Sequence, residues 1–165
     1  MTEAHGPRQG GFAYLSITSK LPLQAITDHL GRAPDRKSFS IGEPRKRPGL
    51  KPYSFSRWSM ASGLDEADES ISIEEHLRSL WGRMQSIREQ VVSAPPEFER
   101  WLVAVGYFDR FDEPLSVSGG HFATAAYYRL NLDFDFYFGD DFGHDDYGGR
   151  AYWDWEGLPP SEGQV

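Results

Sequence analysis

Two aspartates late in the chain, Asp133 and Asp135, alternate with Leu132, Phe134 and Phe136. In an extended strand, residues two apart share a face at a spacing of about 6.7 Å. That spacing falls within the roughly 6.5–9.5 Å separating the two carboxyls of an inverting glycosidase. A working pair also needs one carboxyl held protonated and room for a substrate. Any strand with an acidic outer face shows the same spacing, so solvated alternation or an ion pair with Arg57 is the plainer reading. Together with Tyr137, the residues Arg57, Asp133 and Asp135 read as an open polar sheet face, suited to binding as readily as to hydrolysis.

The five histidines are His5, His29, His76, His121 and His144, and none forms a His-x-x-x-His or His-Glu-x-x-His pair. His76 falls at the edge of a helical apolar stripe and reads as a half-buried, hydrogen-bonded side chain. His144 has Asp140, Asp141, Asp145 and Asp146 around it, but without the alternating oxygens and central glycine of a calcium loop. No metal or other cofactor is expected. The chain contains no cysteine, which excludes disulfides, thiolate nucleophiles and cysteine zinc sites together. Gly-x-Ser-x-Gly, Gly-x-Gly-x-x-Gly and Walker patterns are absent, and Ser118-Gly119-Gly120-His121 reads as a turn. The one basic cluster, Arg45-Lys46-Arg47 with Lys51, could contact phosphates in a salt-sensitive way. Net acidity and the lack of a recognition helix argue against nucleic acid, and a solvated loop is the plainer reading of residues 45–51.

The elements that must carry these residues follow from periodicity. Phe12–Thr18 alternates as a first strand. A short helix follows, with Pro22 in its first turn, Leu23, Ile26 and Leu30 on one face, and Gly31 as its stop. Ser38–Gly42 and Tyr53–Ala61 read as two strands about a Pro- and Gly-rich loop. Ser72 and Glu75 form a capping box ahead of a long helix, whose stripe is Ile73, Leu77, Leu80, Trp81, Met84, Ile87 and Val91. Glu74 and Arg78 stand at i,i+4 on its other side, and Gly82 invites a local bend. Arg100–Phe108 is a strand, Gly119–Tyr128 a weaker helix, and Leu130–Phe138 a strand with Leu130, Leu132, Phe134, Phe136 and Phe138 turned inward. The order β-α-β-β-α-β-α-β predicts an α+β domain, with a mostly antiparallel sheet and helices packed on one face. A ferredoxin-like variant is the first expectation; a strongly curved sheet wrapping the long helix is the second.

The 165 residues suit one folded domain at 11–139, after a breaker-rich flexible tail over 1–10. Residues 140–165 form a further segment, glycine-rich and acidic, in which Tyr152, Trp153 and Trp155 stand among aspartates. The net charge of −8 is unevenly spread. Residues 1–60 hold ten Lys/Arg against four Asp/Glu, whereas residues 111–165 hold two against eleven. Such polarity can steer a charged partner, although charge that merely keeps the surface solvated accounts for it too. The N-terminus lacks the apolar core of a signal peptide, and no run approaches the ~20 residues of a membrane span. A soluble cytoplasmic protein with no membrane association is therefore expected.

Four features in this order resemble a known family. They are Leu30-Gly31-Arg32-Ala33-Pro34 at a helix end, Trp58-Ser59 on a strand, Glu75-His76-Leu77 opening the long helix, and Leu132-Asp133-Phe134-Asp135-Phe136-Tyr137. Over roughly residues 11–139 the chain resembles the bacterial family known as domain of unknown function 4279. The resemblance implies a compact α+β bacterial domain without an assigned reaction. Immunity proteins of toxin systems are related small bacterial proteins by analogy alone. The sequence is thus read first as a protein-binding module with a basic partner, through Arg57, Asp133, Asp135, Tyr137, Tyr152, Trp153 and Trp155. The alternatives are a hydrolase using Asp133/Asp135 and nucleic-acid contact through residues 45–51.

Overall fold

Alternation of period two builds the sheet. The computed structural model describes residues 9–108 and 117–138. Its strands are β1 (Gln9–Ser19), β2 (Ser56–Ala61), β3 (Glu99–Phe108) and β4 (Asn131–Phe138). They stand in the order β2-β1-β3-β4. β1 pairs antiparallel with β2 and with β3, while β3 and β4 run parallel, joined through helix α4 (Gly119–Tyr127). The class is α+β, with a mixed sheet. A ferredoxin-like sheet is antiparallel throughout, so this strand order does not bear out that detail of the expectation.

The other helices are α1 (Leu23–Leu30), α2 (Ile73–Met84) and α3 (Arg88–Val92), with a 3-10 turn at Gln85–Ile87 between the last two. Pro22 sits just ahead of α1, and Gly31 ends it in the left-handed conformation at φ 62°. Ser72 and Glu75 close the capping box at the start of α2, the Glu75 N–H donating to Ser72 Oγ and the Ser72 N–H to Glu75 Oε2. All four helices lie on one side of the sheet. Ile26 and Leu30, Leu77, Leu80 and Met84, Val91, and Ala125 pack there against Ala13, Leu15, Ile17, Trp58, Met60, Leu102 and Ala104.

The start of α2 comes unusually close to the strands. Gly11 and Gly106 are cross-strand partners, and Ile73 rests on both. A Cβ on either glycine would stand 2.6 Å from the Ile73 side chain. Only hydrogen at these two positions admits the helix.

Three expectations need correction. Ser38–Gly42 is no strand: it makes one isolated bridge, Phe39 to Arg57. Phe39 N–H and Gly42 N–H donate to the carbonyls of Arg57 and Tyr53, but between them Ser40 N–H goes to Glu43 Oε2 and Ile41 N–H to Ser56 Oγ, while Ser38 Oγ accepts from Ser59 N–H. Serine and glutamate oxygens thus take the place of a ladder. The long helix breaks at Gln85–Ile87 and not at Gly82. The tighter turn keeps both Ile87 and Val91 buried as the chain passes from α2 to α3. Finally, β4 is an edge strand, so Phe134 and Phe136 are only half-buried and Leu132 is exposed.

Candidate functional site

Register decides which side chains meet on the face without helices. On β1 this face carries Phe12, Tyr14, Ser16 and Thr18, and on β3 it carries Val105, Val103, Trp101 and Glu99 opposite them. Arg57 of β2 stands beside Thr18. Asp133, Asp135 and Tyr137 of β4 stand beside Val103, Val105 and Tyr107. The four described residues singled out from sequence therefore do share one face. They are not one cluster, however. Two strands separate Arg57 from the aspartates, about 14 Å at the usual strand spacing, which rules out the expected ion pair.

Nor is the face open at its centre. Phe12, Tyr14, Ser16, Arg57, Val103 and Val105 are buried. Arg36, which the sequence reading passed over, lies across Tyr14 with its guanidinium carbon 3.8 Å from the ring centroid, and 5.2 Å from that of Phe12. Glu66 holds it there through two hydrogen bonds, of 3.0 and 3.3 Å. Burial raises the Tyr14 phenol above its ordinary value, against the opposing pull of Arg36 and Arg57. Burial likewise lowers Arg57, which sits 4.8 Å over the Phe39 ring.

The β4 side of the same face is more accessible. Asp133, Asp135 and Tyr137 are each half-buried. Burial raises the Asp133 carboxyl above the usual carboxylate range, and the charge of Asp135 adds to the effect. Tyr137 donates its hydroxyl proton to Asp135 Oδ2 at 2.5 Å and stacks on Tyr107, 5.8 Å between centroids. Burial pushes the Tyr107 phenol far up. The two carboxyls are thus unlike: Asp135 carries a hydrogen-bond donor, whereas Asp133 bears the desolvation. Tyr152, Trp153 and Trp155 lie outside the described residues.

Among the basic residues at 45–51, Arg45 packs over Tyr53 at 5.0 Å, and Tyr53 stacks on Phe39 at 3.7 Å. Arg57 lies over the Phe39 ring, so Arg45 and Arg57 each pack on one ring of this aromatic pair. Lys46, Arg47 and Lys51 are exposed.

Two histidine arrangements were not legible from spacing, because they join elements distant in the chain. His121, in the first turn of α4, accepts at Nδ1 from Trp81 Nε1–H at 2.8 Å. Its Nε2 therefore carries the proton donated to Glu74 Oε2, 2.5 Å away. The Ser118 N–H also donates to Glu74, and these two donors hold that carboxyl below its usual range. Glu74 consequently fastens α2 to α4, with Arg78 a more distant neighbour at 3.9 Å. His76 meets Ser62 Oγ at 2.6 Å, while its Nε2 has no hydrogen-bond partner. Ser62 and His76 are both fully buried, which denies this pair the access a nucleophile and base require. His76 was expected to be half-buried; burial of the whole ring lowers its pKa.

Among the described residues no group of three or more His, Cys, Asp or Glu could hold a metal ion, and the His144 cluster lies outside them. No helix among them is long and apolar enough to cross a membrane.

Fold and face define a small α+β domain with one dry side and one aromatic, charged side. The family model described as domain of unknown function (DUF4279) matches residues 8–139, and the chain belongs to that family. No curated protein and no solved structure matches it.

Proposed function

We propose that the domain is a protein-binding module whose contact surface is β4 with the adjoining strip of the helix-free face, and whose partner is basic there. The observation that carries this reading is the pair Asp133 and Asp135 at the sheet edge, where burial and the neighbouring charge strain the Asp133 carboxyl. A lysine or arginine from a partner would relieve that strain and complete the hydrogen bonding of both carboxylates. Two further features support it. The outer edge of β4 pairs with no other strand among the described residues, and Tyr107 and Tyr137 place stacked aromatic area beside the acids. Neutralisation of a basic toxin, in the manner of an immunity protein, is one form of this reading. The acidic residues 140–165 carry the same sign of charge and would extend the surface.

The test is retention from a lysate by the intact chain against the Asp133→Asn/Asp135→Asn variant, at low and high salt, read by mass spectrometry. A protein held by the first, lost by the second and released by salt is the expected outcome. Equal retention by both sinks the proposal. Truncation at 139 then reports on the C-terminal segment separately.

One observation favours a second reading, a hydrolase. A carboxyl raised by burial beside a second one that accepts a hydrogen bond from Tyr137 resembles the arrangement of an acid and base pair. It requires an activity that Asp133→Asn abolishes without loss of fold; an activity indifferent to that change ends it.

A further inference from the structure

The sheet has two edges, and the chain treats them differently. The outer edge of β2 is closed. Phe39 and Arg57 exchange backbone hydrogen bonds of 3.0 and 2.9 Å, and the N–H groups of Asp35 and Arg36 donate to the Ser59 carbonyl. Ser59 N–H donates to Ser38 Oγ, and Ala61 N–H to Asp35 Oδ1. Residues 35–39 thus satisfy that edge without forming a strand themselves.

The outer edge of β4 has no such cover among the described residues. From 131 to 136 no backbone group bonds to a loop or turn there, and β3 is the strand's pairing partner. Register with β3 runs from Asn131 to Phe138 without a bulge, and the strand holds neither proline nor lysine. The usual means of blunting an exposed edge are therefore missing. Charge alone guards it. Two such edges brought together would set aspartates among aspartates, which disfavours a second copy as the occupant.

Both faces of β4 are receptive beside this edge. Toward the helices Leu132 is 39% exposed, and Phe122 of α4, 44% exposed, has its ring 5.9 Å from that of Phe134. Away from the helices stand Asp133 and Asp135. A strand laid beside residues 131–136 would put successive side chains alternately over these two surfaces.

We propose that β4 receives an extended segment of the partner as an added strand, in which basic residues alternate with apolar ones. The basic side chains meet Asp133 and Asp135, and the apolar ones cover Leu132, Phe134 and Phe122. This inference rests on the protein-binding reading and gives the partner its conformation and sequence pattern. Main-chain hydrogen bonds supply affinity, and the alternation supplies specificity.

The probe is a hexapeptide of alternating lysine and valine, acetylated and amidated at its ends. It is titrated into the full chain to about 5 mM and followed by backbone amide NMR signals and hydrogen exchange. One control carries the same residues as a lysine block and a valine block; the other is the alternating peptide methylated at every backbone nitrogen. Before peptide is added, the β4 amides not donated to β3 are expected to exchange freely. The alternating peptide should shift the signals of residues 131–136 saturably and slow those amides, with both controls at least about tenfold weaker. Asp133→Asn/Asp135→Asn should weaken it by a similar factor, and Leu132→Asn, at an exposed residue, several-fold. Absence of a saturable shift or equal binding of the block peptide overturns the proposal. Protection of the outward amides in the free protein does so too, because the edge is then already taken by the chain itself or by a second copy. Equal binding of the methylated peptide overturns the added strand and leaves the acidic surface standing, whereas indifference to Asp133→Asn/Asp135→Asn ends both readings.

Discussion

The two faces of the sheet differ in what they ask of their residues. Beneath the helices, Leu15, Ile17, Met60, Leu77, Leu80 and Leu102 form a dry aliphatic core in which shape and volume decide everything. The opposite face holds Phe12, Tyr14, Trp101, Tyr107 and Tyr137, with Arg57 on β2, the Arg36–Glu66 pair over Tyr14, and Asp133 and Asp135 on β4. Its charges are not interchangeable, because two strands of aromatic and aliphatic residues keep them apart. One face therefore packs aliphatic side chains, and the other holds the Asp133 carboxyl where burial disfavours its charge.

The contrast breaks most easily on the core side. Leu15→Ala is expected to cost about 2–5 kcal/mol, read by denaturant melts, since Leu15 is wholly buried in the central strand. A cost well under 1 kcal/mol would mean that this face is not the principal core. Next comes a pair of glycines. Gly106→Ala drives a methyl against Ile73 and should cost about 1–3 kcal/mol. Gly82→Ala meets open space within α2 and should instead stabilise by about 0.5–1 kcal/mol. The same change with opposite signs would confirm close approach as the cause.

A smaller effect concerns His76. Its folded pKa is lowered by burial, so the folded state binds fewer protons than the unfolded one below the ordinary value of 6.5. Stability is then full above that value and falls as pH drops through the depressed folded value. Thermal melts between pH 5 and 8 should show this slope, and His76→Gln should flatten it; an identical slope in both would refute the assignment. The smallest effect belongs to the helix-free face. Asp133 has a raised folded pKa, so its contribution is most favourable below the ordinary value of 3.8 and is lost as pH rises through the folded value. Asp133→Asn should accordingly raise the melting temperature slightly at pH 7 and leave it unchanged at pH 3. Stability traded for a strained carboxyl is expected of a binding residue and has no place in the aliphatic core.

Several elements were legible in the residues themselves. Pro22 and Gly31 bracket α1, and Ser72 with Glu75 opens α2, because capping is settled within four residues. The alternation of β4 correctly placed Phe134 and Phe136 toward the helices and Asp133 and Asp135 away. The same alternation in Trp101, Val103, Val105 and Tyr107 marks the aromatic face. The failed strand at Ser38–Gly42 had suitable residues, yet its backbone groups found Glu43 and Ser56 first. Arg36 offered no signal at all, since its partner Glu66 lies thirty residues away.

What the sequence determined is local: where helices start and stop, which side chains share a strand face, and how charge divides between the ends of the chain. These follow from dihedral preference, capping and a period of two, none of which requires a distant residue. The order β2-β1-β3-β4 was left to the tertiary structure, and with it the distance between Arg57 and the aspartates, the burial that raises Asp133, and the placing of β4 at an edge of the sheet. Strand order is chosen by the joint burial of residues far apart in the chain, and desolvation and unmet hydrogen bonds exist only once that packing is complete.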